Sequence, residues 1–163
     1  MEEEMKLAIP ALLLALGPFA STAAHAESWT RYQSDLHHCR LDYASNLFAL
    51  GELDSENYLR FSGRDKDIYF RISGFPNEEK LTPAEIRAEY VKEKGKADLV
   101  YERTKTDFLV LSGYRGNNIF YTKIALSPNN QNICVLHISY PRKAKRAFDA
   151  VVTRMSRSFT AGN

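Results

Sequence analysis

The sequence predicts an α+β domain: an antiparallel sheet of about six to seven strands with two helices packed on it. Three observations carry this. Short runs with alternating apolar and polar residues are separated by turn residues throughout residues 38–140. Two segments have helical spacing instead, one in the middle and one at the end of the chain. No glycine-rich strand-to-helix loop is present, so a nucleotide-binding α/β fold is not expected. Strands joined by short turns pair antiparallel, and helices interrupting and ending such a meander make an α+β sandwich.

The chain has 163 residues, 44% hydrophobic, 26% charged and 12% aromatic, which suits one globular domain. That composition excludes a disordered tail, a collagenous or repeat protein and a cysteine-dense mini-scaffold. The first 26 residues read as a secretory signal. Lys6 supplies the positive charge, Leu7 to Leu16 the apolar run, Gly17 and Pro18 the break, and Ala24-His25-Ala26 the small-x-small cleavage site. The run is shorter than the ~20 residues a membrane-spanning helix needs. Glu2, Glu3 and Glu4 do not suit the positive region, and a start at Met5-Lys6 suits it better than one at Met1. Cleavage after Ala26 removes three Glu and one Lys, leaving residues 27–163 with 21 basic and 17 acidic residues and a net charge of +4. The expected address is the periplasm or the exterior, with no transmembrane helix in the mature chain.

Two cysteines remain, Cys39 and Cys134, and an even count in an exported chain reads as one disulfide. A metal site of His37, Cys39, Cys134 and His137 is the alternative. Three residues along a strand reverse the face, so His137 points away from Cys134, which argues against that set.

Residues 29–34 read as a polar lead-in. Cys39, Leu41 and Tyr43 alternate with Arg40 and Asp42 as a half-buried strand. Leu47, Phe48 and Leu50 read as an apolar cluster in a loop. A hairpin follows: Tyr58 to Phe61, a turn at Ser62-Gly63-Arg64-Asp65, then Asp67 to Ser73. Leu59 and Phe61 face Ile68, Phe70 and Ile72, with Arg60 and Arg71 on the other side. Gly74, Pro76 and Asn77 close this unit. Thr82-Pro83-Ala84-Glu85 is a capping box with proline at the first helical position, Leu81 and Ile86 are staple positions, and Gly95 stops the helix, which runs over 82–94.

Leu99, Tyr101 and Arg103 alternate with Val100 and Glu102 in the next strand. Phe108 to Leu111 is continuously apolar, as in a central strand. Gly113, Gly116 and Asn117-Asn118 turn the chain, and Ile119 to Leu126 returns. Pro128-Asn129-Asn130 turns it again, and Ile133 to Tyr140 runs back to Pro141. Ala144, Phe148, Val151, Val152, Met155 and Phe159 recur at helical spacing as the stripe of a helix lying on the sheet.

The order Arg40-Leu41-Asp42-Tyr43, Asn46-Leu47-Phe48, Leu109 to Gly116, Ile119-Phe120-Tyr121, Ser139-Tyr140-Pro141 and Arg154 to Phe159 resembles a group of small secreted proteobacterial proteins of uncharacterised function. More loosely it resembles the PsbP-like α/β sandwich, over roughly residues 36–160. Tyr43-Ala44 departs from that pattern, which favours Tyr-Pro. The resemblance implies a fold and an exported address, and it brings no catalytic residue and no cofactor.

No catalytic constellation is expected. Ser112 lacks the glycine two residues before it that a nucleophile elbow uses, since Val110 stands there. Asp65 and Asp67 are too few for a calcium loop. The strongest remaining signal is cationic. Arg142, Lys143, Lys145, Arg146, Arg154 and Arg157 face only Asp149 within residues 142–157, a local net charge of +5. A helix C-terminus accounts for Arg154 and Arg157, but Lys143, Lys145 and Arg146 crowd the positive end of the helix dipole. Arg115, in Gly113-Tyr114-Arg115-Gly116, is a second candidate anion contact. These residues point to a non-enzymatic binding or accessory module docking to an envelope protein or anionic surface. Nucleic acid fits neither the compartment nor the modest charge. The alternative is a small-ligand-binding protein or small hydrolase with a pocket between sheet and helix, near Tyr114, Arg115 and Tyr121.

Overall fold

The computed structural model describes residues 27–35, 38–54, 58–95 and 98–163. The secretory signal, the choice between Met1 and Met5, and His37 lie outside the described residues. Among the described residues the fold is an α+β sandwich of ten strands, two α-helices and one 3-10 turn. A three-stranded sheet has the order β1 (Trp29–Gln33), β2 (Cys39–Ala44), β10 (Thr160–Ala161). The seven-stranded sheet has the order β3 (Glu52–Leu53), β4 (Leu59–Ser62), β5 (Tyr69–Pro76), β9 (Asn132–Pro141), β8 (Asn118–Leu126), β7 (Phe108–Arg115), β6 (Leu99–Thr104). Every pairing is antiparallel.

The large sheet has two covered faces, set by the alternation of its side chains. On the inner face, Phe61, Phe70, Ile72, Leu136, Ile138 and Tyr140 pack with Leu41, Tyr43 and Ala44 of β2 and with Val151, Val152, Met155 and Phe159. The last four come from α2 (Lys145–Ser158) and its cap. Phe61 and Phe70 stack at 4.3 Å between ring centroids, and Phe48 meets Phe70 edge-on at 4.9 Å. On the outer face, Leu109, Leu111, Ile124, Leu126 and Ile133 pack with Ile86 and Tyr90 of α1 (Pro83–Lys94).

The Cys39–Cys134 disulfide forms, with sulfurs 2.01 Å apart, and ties β2 to β9 across the two layers. Both sulfurs are thereby removed as thiolate ligands. Cys134 lies in the inner core, and His137, three residues on, belongs to the outer face opposite Thr122.

Helix α1 begins as its sequence dictates. The Glu85 amide donates to Thr82 Oγ1 at 3.3 Å and the Thr82 amide donates to Glu85 Oε2 at 2.8 Å, a reciprocal box. Helix α2 ends on a side chain from the sheet: Lys123 Nζ donates to the Ser156 and Phe159 carbonyls at 2.8 and 3.0 Å. Two of the carbonyls that every helix C-terminus leaves without an internal donor are satisfied this way.

Several expectations are refined. Residues 29–33 form strand β1 rather than a lead-in, held to β2 in part by the Arg31–Asp42 ion pair at 2.7 Å. Of the loop cluster, only Phe48 is buried, while Leu50 is 84% exposed. Gly74 and Pro76 continue β5 instead of closing it. Strand β7 is an interior strand, paired with β8 on one side and edge strand β6 on the other, and its apolar run is covered on both faces. Strand β6, at that edge, is exposed except at Leu99.

Gly113 lies within β7 and not in the turn. A Cβ there would come within 1.7 Å of the Asp98 carbonyl oxygen, so the close approach of that backbone requires glycine. The turn itself is the two-residue loop Gly116-Asn117, with Gly116 at φ +59° and Arg115 paired to Asn118. Among the described residues no helix is long and apolar enough to cross a membrane.

Candidate functional site

The predicted cations gather at one end of the molecule. Strand β9 runs into Pro141, a 3-10 turn follows at Arg142–Ala144, and α2 starts at Lys145. The Arg142 amide donates to the Asn117 carbonyl at 2.9 Å, so this turn is stitched to the β7–β8 hairpin loop beside Arg115. The Arg142 guanidinium lies 3.9 Å from the Tyr114 ring centroid.

Arg115, Arg142, Lys143, Lys145 and Arg146 are all exposed. Lys145 donates to both carboxylate oxygens of Asp149 at 3.0 and 2.7 Å, the usual partner one helical turn on. Lys143 and Arg146 make no ion pair among the described residues. The first turn of α2 has no acidic residue, and its N-cap, Ala144, offers no side-chain acceptor. A cleft of about 400 Å³ lies here, between Arg142 and Lys143 on one side and Asp65 and Asp67 of the β4–β5 turn on the other. Arg154 lies elsewhere, over the Trp29 ring at 4.0 Å.

A groove of about 460 Å³ lies between α2 and the edge half of the inner face. Tyr114 and Tyr121 line it as expected, together with Tyr101, Tyr140, Ser112 and Thr153. Arg115 does not: one residue past Tyr114, it points to the outer face, with its guanidinium 5.4 Å from the Phe120 ring. Sequence parity alone separates Arg115 from Tyr114. The contributions of Tyr101, Tyr140 and α2 depend on strand order and on where the helix lands, which no local pattern records.

Three of the groove's hydroxyls are engaged within the protein. Ser112 Oγ donates to the Phe120 carbonyl at 2.8 Å, and Thr153 Oγ1 donates to the Asp149 carbonyl at 2.7 Å. Tyr121 Oη and Ser156 Oγ share a hydrogen bond of 2.6 Å. No histidine lines the groove, so Ser112 has no base beside it there. Burial raises the Tyr121 phenol and pushes that of Tyr140 up to about 12, with the Asp149 carboxylate adding to the second effect.

The outer face holds a polar cluster. Arg60, Arg71, His137 and Thr122 are directly opposite one another on β4, β5, β9 and β8. Arg60 lies 3.7 Å over the Tyr69 ring, Arg71 pairs with Asp54 at 3.1 Å, and His137 Nδ1 is 2.9 Å from Thr122 Oγ1. Burial, reinforced by Arg115 and Arg71, drives the His137 imidazole down to about 4. The sequence signal for this row was the placement of Arg60 and Arg71 on the side away from the core.

No protein-family profile matches the chain, and no curated protein matches it in sequence. Its fold is similar to the solution structure of cyanobacterial PsbP from Synechocystis sp. PCC 6803, with a TM-score of 0.57 and 12% identity. The match covers 90% of this chain and 98% of that one. At that identity the likeness establishes the PsbP-like fold alone.

Proposed function

We propose that this protein is a non-catalytic accessory module of an exported compartment, docking through its basic end onto an anionic partner in the cell envelope. The observation that carries the reading is the pair Lys143 and Arg146. Both are exposed and without an acidic partner among the described residues, where the helix dipole disfavours cations. A chain that keeps such a local conflict gains from an external anion. Arg115 and Arg142 flank them at the same end. The disulfide agrees with an oxidising compartment. The accessory character of the reading rests on the PsbP-like fold.

The test is capture of the tagged, exported protein from its native envelope at low and high salt, beside Lys143→Glu/Arg146→Glu. A specific partner captured at low salt, lost at high salt and lost in the double variant is the expected result. Vesicles of anionic and of zwitterionic lipid, run in parallel, separate a lipid surface from a protein partner. Capture by the variant equal to that by wild type overturns the electrostatic reading.

A further inference from the structure

The cleft of about 400 Å³ beside the β7–β8 hairpin loop carries both signs of charge. Arg142 and Lys143 line one side and Asp65 and Asp67 the other, so the four charges sum to zero. Asn117 and Asn118 also line it. No ion pair among the described residues joins the two sides. The side chains of Asp67, Asn117, Asn118 and Lys143 make no hydrogen bond among the described residues either. Polar groups that converge on one concavity without internal partners are what orients a ligand in a small-molecule site, and the volume falls within the about 300–1,000 Å³ such sites have.

Backbone hydrogen bonds fix both sides. In the β4–β5 turn the Gly63 amide donates to the Ile68 carbonyl at 2.7 Å and the Ile68 amide to the Asp65 carbonyl at 2.9 Å. The Asp67 amide donates to Asp65 Oδ1 at 3.0 Å, an Asx turn that orients the first carboxylate. Opposite, the Arg142 amide is tied to the Asn117 carbonyl, and the Arg142 guanidinium rests on the Tyr114 ring. The charges are thus held in place before any ligand arrives. Arg64 and Lys66, on either side of Asp65, do not line the cleft and do not neutralise its acidic wall from within. A simple anion drawn to Arg142 and Lys143 meets two carboxylates across the cleft. A simple cation, metal ions included, meets the reverse. Only a solute carrying both signs gains at both walls.

We propose that this cleft binds a small zwitterion, with its ammonium at Asp65 and Asp67 and its oxyanion, a carboxylate or phosphate, at Arg142 and Lys143. The cleft shares Arg142 and Lys143 with the docking end proposed above. It rests on Asp65 and Asp67, which that reading does not use, and it needs no envelope partner.

The probes are 4-aminobutyrate and glycerophosphoethanolamine, titrated separately into the folded, disulfide-bonded protein and read by amide chemical shifts. Butyrate, glycerol phosphate and butylammonium, each with one sign of charge, are run beside them. Saturable binding of at least one zwitterion is expected, with shifts confined to the β4–β5 turn, the β7–β8 loop and the turn before α2. Its affinity should exceed that of each single-sign probe by about fivefold, the upper end of what one exposed ion pair contributes. The tighter of the two zwitterions tells a free amino acid from a phospholipid headgroup. Asp65→Asn/Asp67→Asn should remove the preference over the anions, and Lys143→Gln should weaken the preference over butylammonium. All three positions are exposed, so melting temperatures should hold. Equal affinity for zwitterions and single-sign probes, shifts elsewhere, no saturation by either zwitterion, or preferences unchanged in both variants each overturn the proposal. Because the titration involves no envelope component, its failure leaves the docking reading standing, and failed capture leaves the cleft standing.

Discussion

His137 couples the fold to pH. Its ring lies parallel to Phe120 at 6.4 Å and near Tyr69 at 6.2 Å, with Thr122 at its Nδ1. The charged groups around it are Arg71 on β5, paired with Asp54, and Arg115 on β7. Burial and these two cations hold the folded imidazole at about 4, against 6.5 unfolded. The unfolded chain therefore binds the extra proton first. Stability is full above the unfolded value and falls as pH drops from about 7 towards 4. By linkage the loss is about 2 kcal/mol at pH 5 and about 3 kcal/mol at pH 4. The assay is urea unfolding at a series of pH values for wild type and His137→Gln. Carboxylates contribute equally to both, so the difference between the curves isolates the imidazole. The wild type should lose about 3 kcal/mol more than the variant between pH 7 and pH 4. Parallel curves, or an imidazole titrating near its ordinary value by NMR, would refute the reasoning.

Other perturbations have separate readouts. Cys39→Ser/Cys134→Ser opens a loop of 95 residues, so denaturant unfolding should show a loss of about 4.5 kcal/mol, the chain-entropy value. Gly113→Ala puts a methyl onto the Asp98 carbonyl, and thermal unfolding should show a loss of at least about 2 kcal/mol; an unchanged Tm would contradict the close approach. Lys123→Met keeps the aliphatic stem but strands the Ser156 and Phe159 carbonyls, so urea unfolding should show a loss of about 1–2 kcal/mol and hydrogen exchange should quicken in the last turn of α2.

The elements legible in the sequence are those whose determinants are local. The Thr82–Glu85 box, the proline after it and Gly95 place α1 to the residue, because capping is chemistry among neighbours. The β4–β5 register follows from alternation, with Phe61 opposite Phe70 and Leu59 opposite Ile72. The disulfide follows from an even cysteine count once residues 1–26 are read as a secretory signal. Strands β1 and β10 are not legible, since both exist only by pairing with β2, and Trp29 and Tyr32 break a period of two. Gly113 resembles a turn glycine because the backbone it admits, at Asp98, arrives from another strand. At the groove, Tyr114 and Tyr121 are legible and Tyr101 and Tyr140 are not. Residues 101, 121, 140 and 153 meet only once the order β9-β8-β7-β6 is set and α2 lies across it. The cationic run is plain in the sequence. What the sequence hides is that Lys145 has a partner in Asp149 while Lys143 and Arg146 have none among the described residues.

The central claim is that the basic end is a docking surface, and capture of the exported protein from its native envelope tests it most directly. Wild type and Lys143→Glu/Arg146→Glu are compared at low and high salt, with melting temperatures measured alongside. The account predicts one specific partner for wild type at low salt, none for the variant, and unaltered melting. The same partner recovered by both proteins at both salts would contradict it.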